Sequence, residues 1–475
     1  VASGLTREWR VLDVASRLAR VPQLAAGSIT SYAGGALGHD PVRVGTAVRA
    51  RGLTPNIHVT CVAQDRRGLV KTLEDLDALS IHNVFALTGD YPRSGGPGAA
   101  AQVTPPVFDL DSVQLVALIA ELRRAGRPFH VSVAVSPFKW VEADVMYQYL
   151  KLEKKIAAGA DAAITQVGWD ARKFAELRRY LDERGVATPV LGNVYVLGVR
   201  AAERMAKGQP PGCWVAPELL ARVREESAAA DGGLRARLER AASTIAVLRG
   251  LGYAGAYIGG THDPEQIQWM IRRAEALAPR WEELASELRF GRADGFYLYE
   301  SRRDRARTRR NAGSRPSPRF VPGVLDALGR LLPVTHDTWL RRTLRRVMAW
   351  IDRRPALAAA LERVELSMKR PAFGCQACGN CILGHMEYVC PQTCPKQMRN
   401  GPCGGTDMGR CEVVDQPCIW VGVYERAHAA DRVESLKVYV PPPDRSLTGT
   451  SSWINYFLDR DSRPGHPRSP LAGRS

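Results

Sequence analysis

The chain has 475 residues, 45% of them hydrophobic, which is enough for two or more domains with buried cores. It contains no apolar run of roughly 18 residues, so the sequence predicts no membrane span. The net charge of +17 raises nucleic acid as a partner, but much of it falls in one run, 302–319 (RRDRARTRRNAGSRPSPR), without the interleaved aromatics a nucleic-acid groove needs.

In chain order, Trp9, Leu12, Val14, Leu18 and Val21 recur near helical spacing, so 8–21 reads as a helix. Short β-branched runs then alternate with helical patterns. Strands are expected at 27–33, 57–63, 83–89, 129–135, 162–168, 189–196 and 255–260, with helices at 69–79, 115–122 and 146–158. Residues 279–290 read as a closing helix. This alternation predicts an α/β fold, a (βα)8 barrel of TIM type whose first strand is missing from the pattern. That strand would precede the opening helix, where 1–7 (VASGLTR) is short and polar. Either the barrel is open or the native start lies upstream. The expected organisation is a barrel over 1–291, a basic linker over 292–335, a helical and cysteine-rich domain over 336–440, and a tail over 441–475. In the tail, the aromatics of 451–458 (SSWINYFL) are expected to pack back on a domain. The run at 302–319 reads first as solvated linker and second as a docking segment for an acidic electron carrier.

Eight of the ten cysteines lie between Cys375 and Cys418: Cys375, Cys378, Cys381, Cys390, Cys394, Cys403, Cys411 and Cys418. Thiolates two residues apart converge on one metal, and a third at the same interval is typical of iron–sulfur ligation. Pro391 and Pro395 each follow a cysteine and turn the chain away. Eight thiolates suit two four-thiolate sites, and spacing leaves a [4Fe–4S] cluster and Zn2+ both open. A disulfide framework is the weaker reading, because no secretory signal is seen and an intracellular, cytoplasmic location is expected.

Barrel strands carry functional side chains at their C-terminal ends. Here those ends read SITSYAGG (28–35), HVTC (58–61), ALTGDYP (86–92), ITQVGWD (164–170) and LGNVYV (191–196). The series resembles the methylenetetrahydrofolate reductase family over about residues 12–290. GPCGG at 401–405 and CIW at 418–420 resemble the cysteine-rich C-terminal domain fused to, or partnered with, such reductases.

The resemblance implies a flavin (FAD or FMN) barrel that interconverts 5,10-methylene- and 5-methyltetrahydrofolate. By position it implies that Asp90 is the catalytic carboxylate near flavin and folate. Thr30, Gly34, Gly35, His58, Thr60, Thr88 and Lys155 would line the flavin, with Lys155 near its phosphate. Gln166 and Tyr195, with Asp90, would hold the folate. Blander roles compete: a turn or cap for Asp90, a packed imidazole for His58, a strand-end amide for Gln166, a solvated lysine for Lys155. The implied partners are tetrahydrofolate and a ferredoxin-like or NAD(P)H donor, in a homo-oligomer or a complex with a redox subunit. The family's first-strand glutamate, its general acid in a motif like F-E-F-F-P-P, has no counterpart. Thr88 stands where an arginine is common, and V-S-P-F-K-W (135–140) replaces a tyrosine-containing turn. An impaired folate-binding or electron-transfer subunit is therefore the alternative, and a different flavin-barrel reductase with a pterin-like substrate is a further one.

Overall fold

The computed structural model describes residues 8–30, 32–33, 36–37, 40–92, 106–300 and 338–464. Segment 1–7, Gly34, Gly35 and the basic run at 302–319 lie outside them.

Seven strands form one parallel sheet in chain order: β1 (Gly27–Ile29), β2 (Pro55–Thr60), β3 (Asn83–Leu87), β4 (His130–Val135), β5 (Ala162–Thr165), β6 (Val190–Tyr195) and β7 (Gly255–Gly259). Each expected strand is present, shorter by a few residues. The helices between them are α1 (Glu8–Leu18), α2 (Pro41–Arg49), α3 (Arg66–Ala78), α4 (Ser112–Arg124), α5 (Glu142–Ala157), α6 (Ala171–Glu183), α7 (Val199–Ala206), α8 (Pro217–Glu226), α9 (Leu234–Gly250), α10 (Pro264–Leu277) and α11 (Trp281–Glu287). Five of them start on an aspartate whose carboxylate accepts a first-turn N–H: Asp40, Asp65, Asp111, Asp170 and Asp263.

The central strands β2 to β5 carry consecutive buried residues, which is why they read as continuous apolar runs rather than alternations. Ile57, Val84, Val131, Val133 and Ala163 are almost fully covered. The sheet is curled. Tyr257 on β7 and His58 on β2 lie far apart in strand order, yet Tyr257 Oη stands 3.4 Å from His58 Nε2. The Tyr257 ring also lies 6.3 Å from that of Phe85 on β3. The result is a half-barrel of seven strands, in accord with the expected fold.

Beyond residue 300, α12 (Trp339–Asp352) and α13 (Pro355–Phe373) form the helical part of the region expected over 336–440. Pro355 opens α13 and forces the break, since proline suits the first turn of a helix but not its interior. The cysteine block is mostly turns, followed by α14 (Ile419–Ala429) and α15 (Ser452–Phe457). The tail does pack back: Ile454 is buried, Asn455 Nδ2 donates to the Gly379 carbonyl at 3.1 Å, and Arg341 lies over the Tyr456 ring.

The cysteine-rich region shares a core with α5. Ala143, Tyr147 and Leu150 on one face of that helix pack with Ile382, Met386, Met398, Trp420, Val423, Tyr424, Leu436 and Val440. Asp111 adds a polar lock. One carboxylate oxygen caps α4 through the N–H groups of Val113 and Gln114. The other accepts from the Arg399 and Asn400 N–H groups and the Asn400 amide, at 3.0–3.1 Å. Gln114 completes the capping box and donates to the Val440 carbonyl at 3.0 Å.

Candidate active site at the barrel mouth

Thr30, Thr60, Thr88, Asp90, Gln166 and Tyr195 all lie at C-terminal strand ends or in the turns after them, and all are half-buried. His58, two residues before the end of β2, reaches the same interior. Its ring meets Phe85 edge-on at 4.9 Å, and burial lowers its pKa to about 3, so it is a neutral imidazole. Gln166 turns its own carbonyl to the Val167 N–H at 2.9 Å. The Tyr195 ring lies against Gly259, where a Cβ would come within 3.1 Å of it.

Lys155 comes from α5 rather than from a strand end. It is buried between α5 and β4, and its ammonium donates to the Ala134 carbonyl at 2.6 Å. Burial lowers its pKa to about 7. Gly34 and Gly35 lie outside the described residues.

The cysteine-rich region closes over part of this mouth. Lys396, buried, donates to the Gly89 carbonyl at 2.8 Å, forms an ion pair with Glu412, and feels the charge of Asp90. Gly89 has φ +90°, and a Cβ there would meet Val62 at 2.8 Å, so the turn presenting Asp90 needs glycine. Lys139, in the turn after β4, donates to the carbonyls of Gly404 (2.7 Å) and Thr406. Lys151 and Gln148 on α5 donate to the carbonyls of Pro402 (2.8 Å) and Cys403 (3.0 Å). Gly212 packs so closely that a Cβ would stand 2.3 Å from the Gly404 oxygen. The 401–406 turn is therefore bound by backbone carbonyls to barrel lysines. Sequence reasoning did not single out Lys396, Lys139 or Asp111. Lys139 lies in the divergent V-S-P-F-K-W turn and Asp111 opens the D-x-x-Q pattern of a capping box, which were the available signals.

None of the ten cysteines is joined to another in a disulfide. The eight of the block fall into two electrostatic neighbourhoods. Cys375, Cys378, Cys381 and Cys390 act on one another and line one pocket. Cys394 is coupled to Cys411, and Cys403 and Cys418 to Cys394. Burial pushes the Cys390 thiol up to about 11 and Cys403 to about 12. Among the described residues no group of three or more His, Cys, Asp or Glu is already drawn together as a metal cage. Arg399 is 1% exposed, and its Nε and Nη1 have no hydrogen-bond partner, although it feels Cys378, Cys390 and Cys381. Its Nη2 donates to the Ser462 carbonyl at 3.1 Å and it also feels Asp111, but a buried guanidinium with two unpartnered nitrogens beside three of these thiols fits an anionic centre there.

Two family models match the chain. "Methylenetetrahydrofolate reductase" matches residues 8–232, and "Methylene-tetrahydrofolate reductase C terminal" matches 355–446. A Caenorhabditis elegans protein named probable methylenetetrahydrofolate reductase (NADPH) is 28% identical over 33% of this chain and 22% of its own. The 5,10-methylenetetrahydrofolate reductase of Pectobacterium carotovorum is 31% identical over 29% of this chain and 41% of its own. That of Salmonella typhimurium is 28% identical over 33% and 48%. The chain thus spans from about a fifth to half of the length of these relatives. An uncharacterised Clostridium thermocellum protein, which binds two copies of 5-methyl-5,6,7,8-tetrahydrofolic acid, aligns with 59% of this chain and 92% of its own at a TM-score of 0.41 and 11% identity, too distant a likeness to carry an argument. The curled parallel sheet with its strand-end residues and the cysteine-rich cover thus lie in the two segments, 8–232 and 355–446, that are similar to the methylenetetrahydrofolate reductase family and to its C-terminal domain.

Proposed function

We propose that the protein is a flavin-dependent oxidoreductase interconverting 5,10-methylenetetrahydrofolate and 5-methyltetrahydrofolate. The observation that carries this reading is the position of Asp90. Within the matched family domain it stands on a glycine-dependent turn at the barrel mouth, beside the strand ends that carry Thr60, Thr88 and neutral His58. The bound flavin would supply hydride transfer, FAD and FMN being alternatives. His58, Thr30, Thr60 and Thr88 fit the edge of a planar ring. Lys155 would reach the flavin phosphate with the donors its ammonium keeps beside the bond to Ala134. Asp90 holds negative charge where a cationic folate iminium forms, which stabilises that charge. Gln166 and Tyr195 orient the pterin. The first four thiols would hold a metal centre, Zn2+ or [4Fe–4S], with Arg399 offsetting its charge, and the second four would hold another. Binding would displace the thiol protons. An iron–sulfur centre would open a one-electron route from a ferredoxin-like donor, whereas zinc would leave NAD(P)H as donor. We place the division between the halves at 292–335, and a cytoplasmic location and an assembly with itself or a redox subunit go with this reading.

The test is turnover of 5-methyltetrahydrofolate by the anaerobically purified chain and by Asp90→Asn. Loss of about 10²–10³ in kcat/KM with the flavin retained is expected. Unchanged kcat/KM removes Asp90 from the chemistry.

One observation favours a second reading. None of the strand-end turns in the described sheet carries a glutamate, and loss of a general acid costs about 10²–10⁴ in rate. A folate-binding or electron-transfer subunit would bind 5-methyltetrahydrofolate without turning it over.

A further inference from the structure

Helix α5 meets the cysteine-rich region along one stripe. Ala143, Tyr147 and Leu150 fill three positions of it with buried apolar side chains. The next position, at helical spacing, is Lys154 rather than a hydrophobe, and it is only 5% exposed. Its lysine neighbours spend their ammonium groups on carbonyls, Lys151 on Gly401 and Pro402, Lys155 on Ala134. Lys154 has no hydrogen bond or ion pair among the described residues. A cation buried without a contacting partner is costly, and burial lowers its pKa to about 7 against the weaker pull of the Asp111 carboxylate, which makes no ion pair with it.

Lys154 lines a cavity of about 200 Å³ at the seam between the two halves. Tyr147 comes from the same helix. Gly384, His385, Met386, Glu387 and the segment from Arg432 to Val440 come from the other side. Arg432 is paired with Glu387, with Nε 3.1 Å from Oε1, so that carboxylate is already neutralised. The remaining charge is positive. A water fills about 30 Å³ and brings no charge, so solvent would occupy the cavity and leave the ammonium uncompensated.

We propose that this seam cavity is a binding site for a small oxyanion, a phosphate or a small carboxylate, with Lys154 as its principal ligand and Arg432 and His385 on the opposite wall. Its lining comes from both halves, so a bound anion holds α5 to the 384–387 turn and to the segment around Arg432. The site is separate from the barrel mouth and does not depend on the folate reading.

The test is calorimetric titration of the full chain with inorganic phosphate and, in a separate arm, malonate, in wild type, Lys154→Met and Lys154→Arg. Saturable binding of one equivalent in either arm is expected, weakened at least about tenfold in Lys154→Met and retained in Lys154→Arg. The arm that saturates identifies the anion. No saturable binding in either arm, or equal binding in wild type and Lys154→Met, overturns the proposal. Should Lys154→Met not fold, acetylation of wild type read by peptide mass spectrometry decides the matter. Saturating anion should protect Lys154 selectively among the lysines, and unchanged acetylation of Lys154 overturns the site.

Discussion

His58 shows how placement rather than residue type fixes a side chain's state. Its pKa is lowered from the ordinary histidine value to about 3 by burial. Between about 3 and 6.5 the unfolded chain therefore binds a proton that the folded chain does not. Its contribution to stability is present in full above pH 6.5 and is lost as pH falls through that window. Denaturant unfolding at a series of pH values should show a steeper acid decline in wild type than in His58→Gln, and parallel curves would refute the assignment. Lys396 and Glu412 form a buried ion pair beside the turn of Asp90. Lys396→Met leaves a buried carboxylate uncompensated and should cost about 3–5 kcal/mol, most of it recovered in the double variant with Glu412→Gln, as read from unfolding midpoints. The turn that presents Asp90 was legible in A-L-T-G-D-Y-P, which resembles a family motif. Lys396 was not, because its acceptor Gly89 lies far away in sequence and no local pattern records the pairing.

Among the elements, the strands were the most readable part of the chain. Double-sided burial demands continuous β-branched runs, and aspartate caps mark the helix starts that follow. Boundaries were less legible, as in the region expected over 336–440, where Pro355 separates α12 from α13. The role of α5 was hidden for a different reason. Both its faces are buried, one against the sheet and one against the cysteine-rich region, so all three of its lysines are enclosed, Lys155 among them although a solvated side chain competed for it in the sequence. Trp420 meets Tyr147 edge-on at 5.2 Å and is 1% exposed. Trp420→Ala should cost about 3–5 kcal/mol and raise amide exchange in α5 and α14 together. Gly212 holds φ +79° against the Gly404 carbonyl. Gly212→Ala should therefore add about 1–2 kcal/mol of backbone strain and expose the 401–406 turn to exchange, whereas protection equal to wild type would show that the turn is held without this contact.

At the scale of the whole molecule, the cysteine-rich region is part of the barrel's construction. Asp111, Lys139, Lys151 and Gln148 reach into it, and Lys396 reaches back to the mouth. The division of eight thiols into two neighbourhoods was not readable from intervals, since it depends on how the turns fold over α5. If each neighbourhood holds a metal, chelation under reducing conditions should loosen the barrel mouth as well as the C-terminal half, because folding and binding are linked through that shared core. The central claim is that the mouth at Asp90 exchanges hydride between flavin and folate. It is tested most directly by adding 5-methyltetrahydrofolate to the anaerobic, oxidised protein and following its visible flavin absorbance. The account predicts bleaching in wild type and its near absence in Asp90→Asn. An unbleached flavin in wild type, or a preparation that binds no flavin at all, would contradict it.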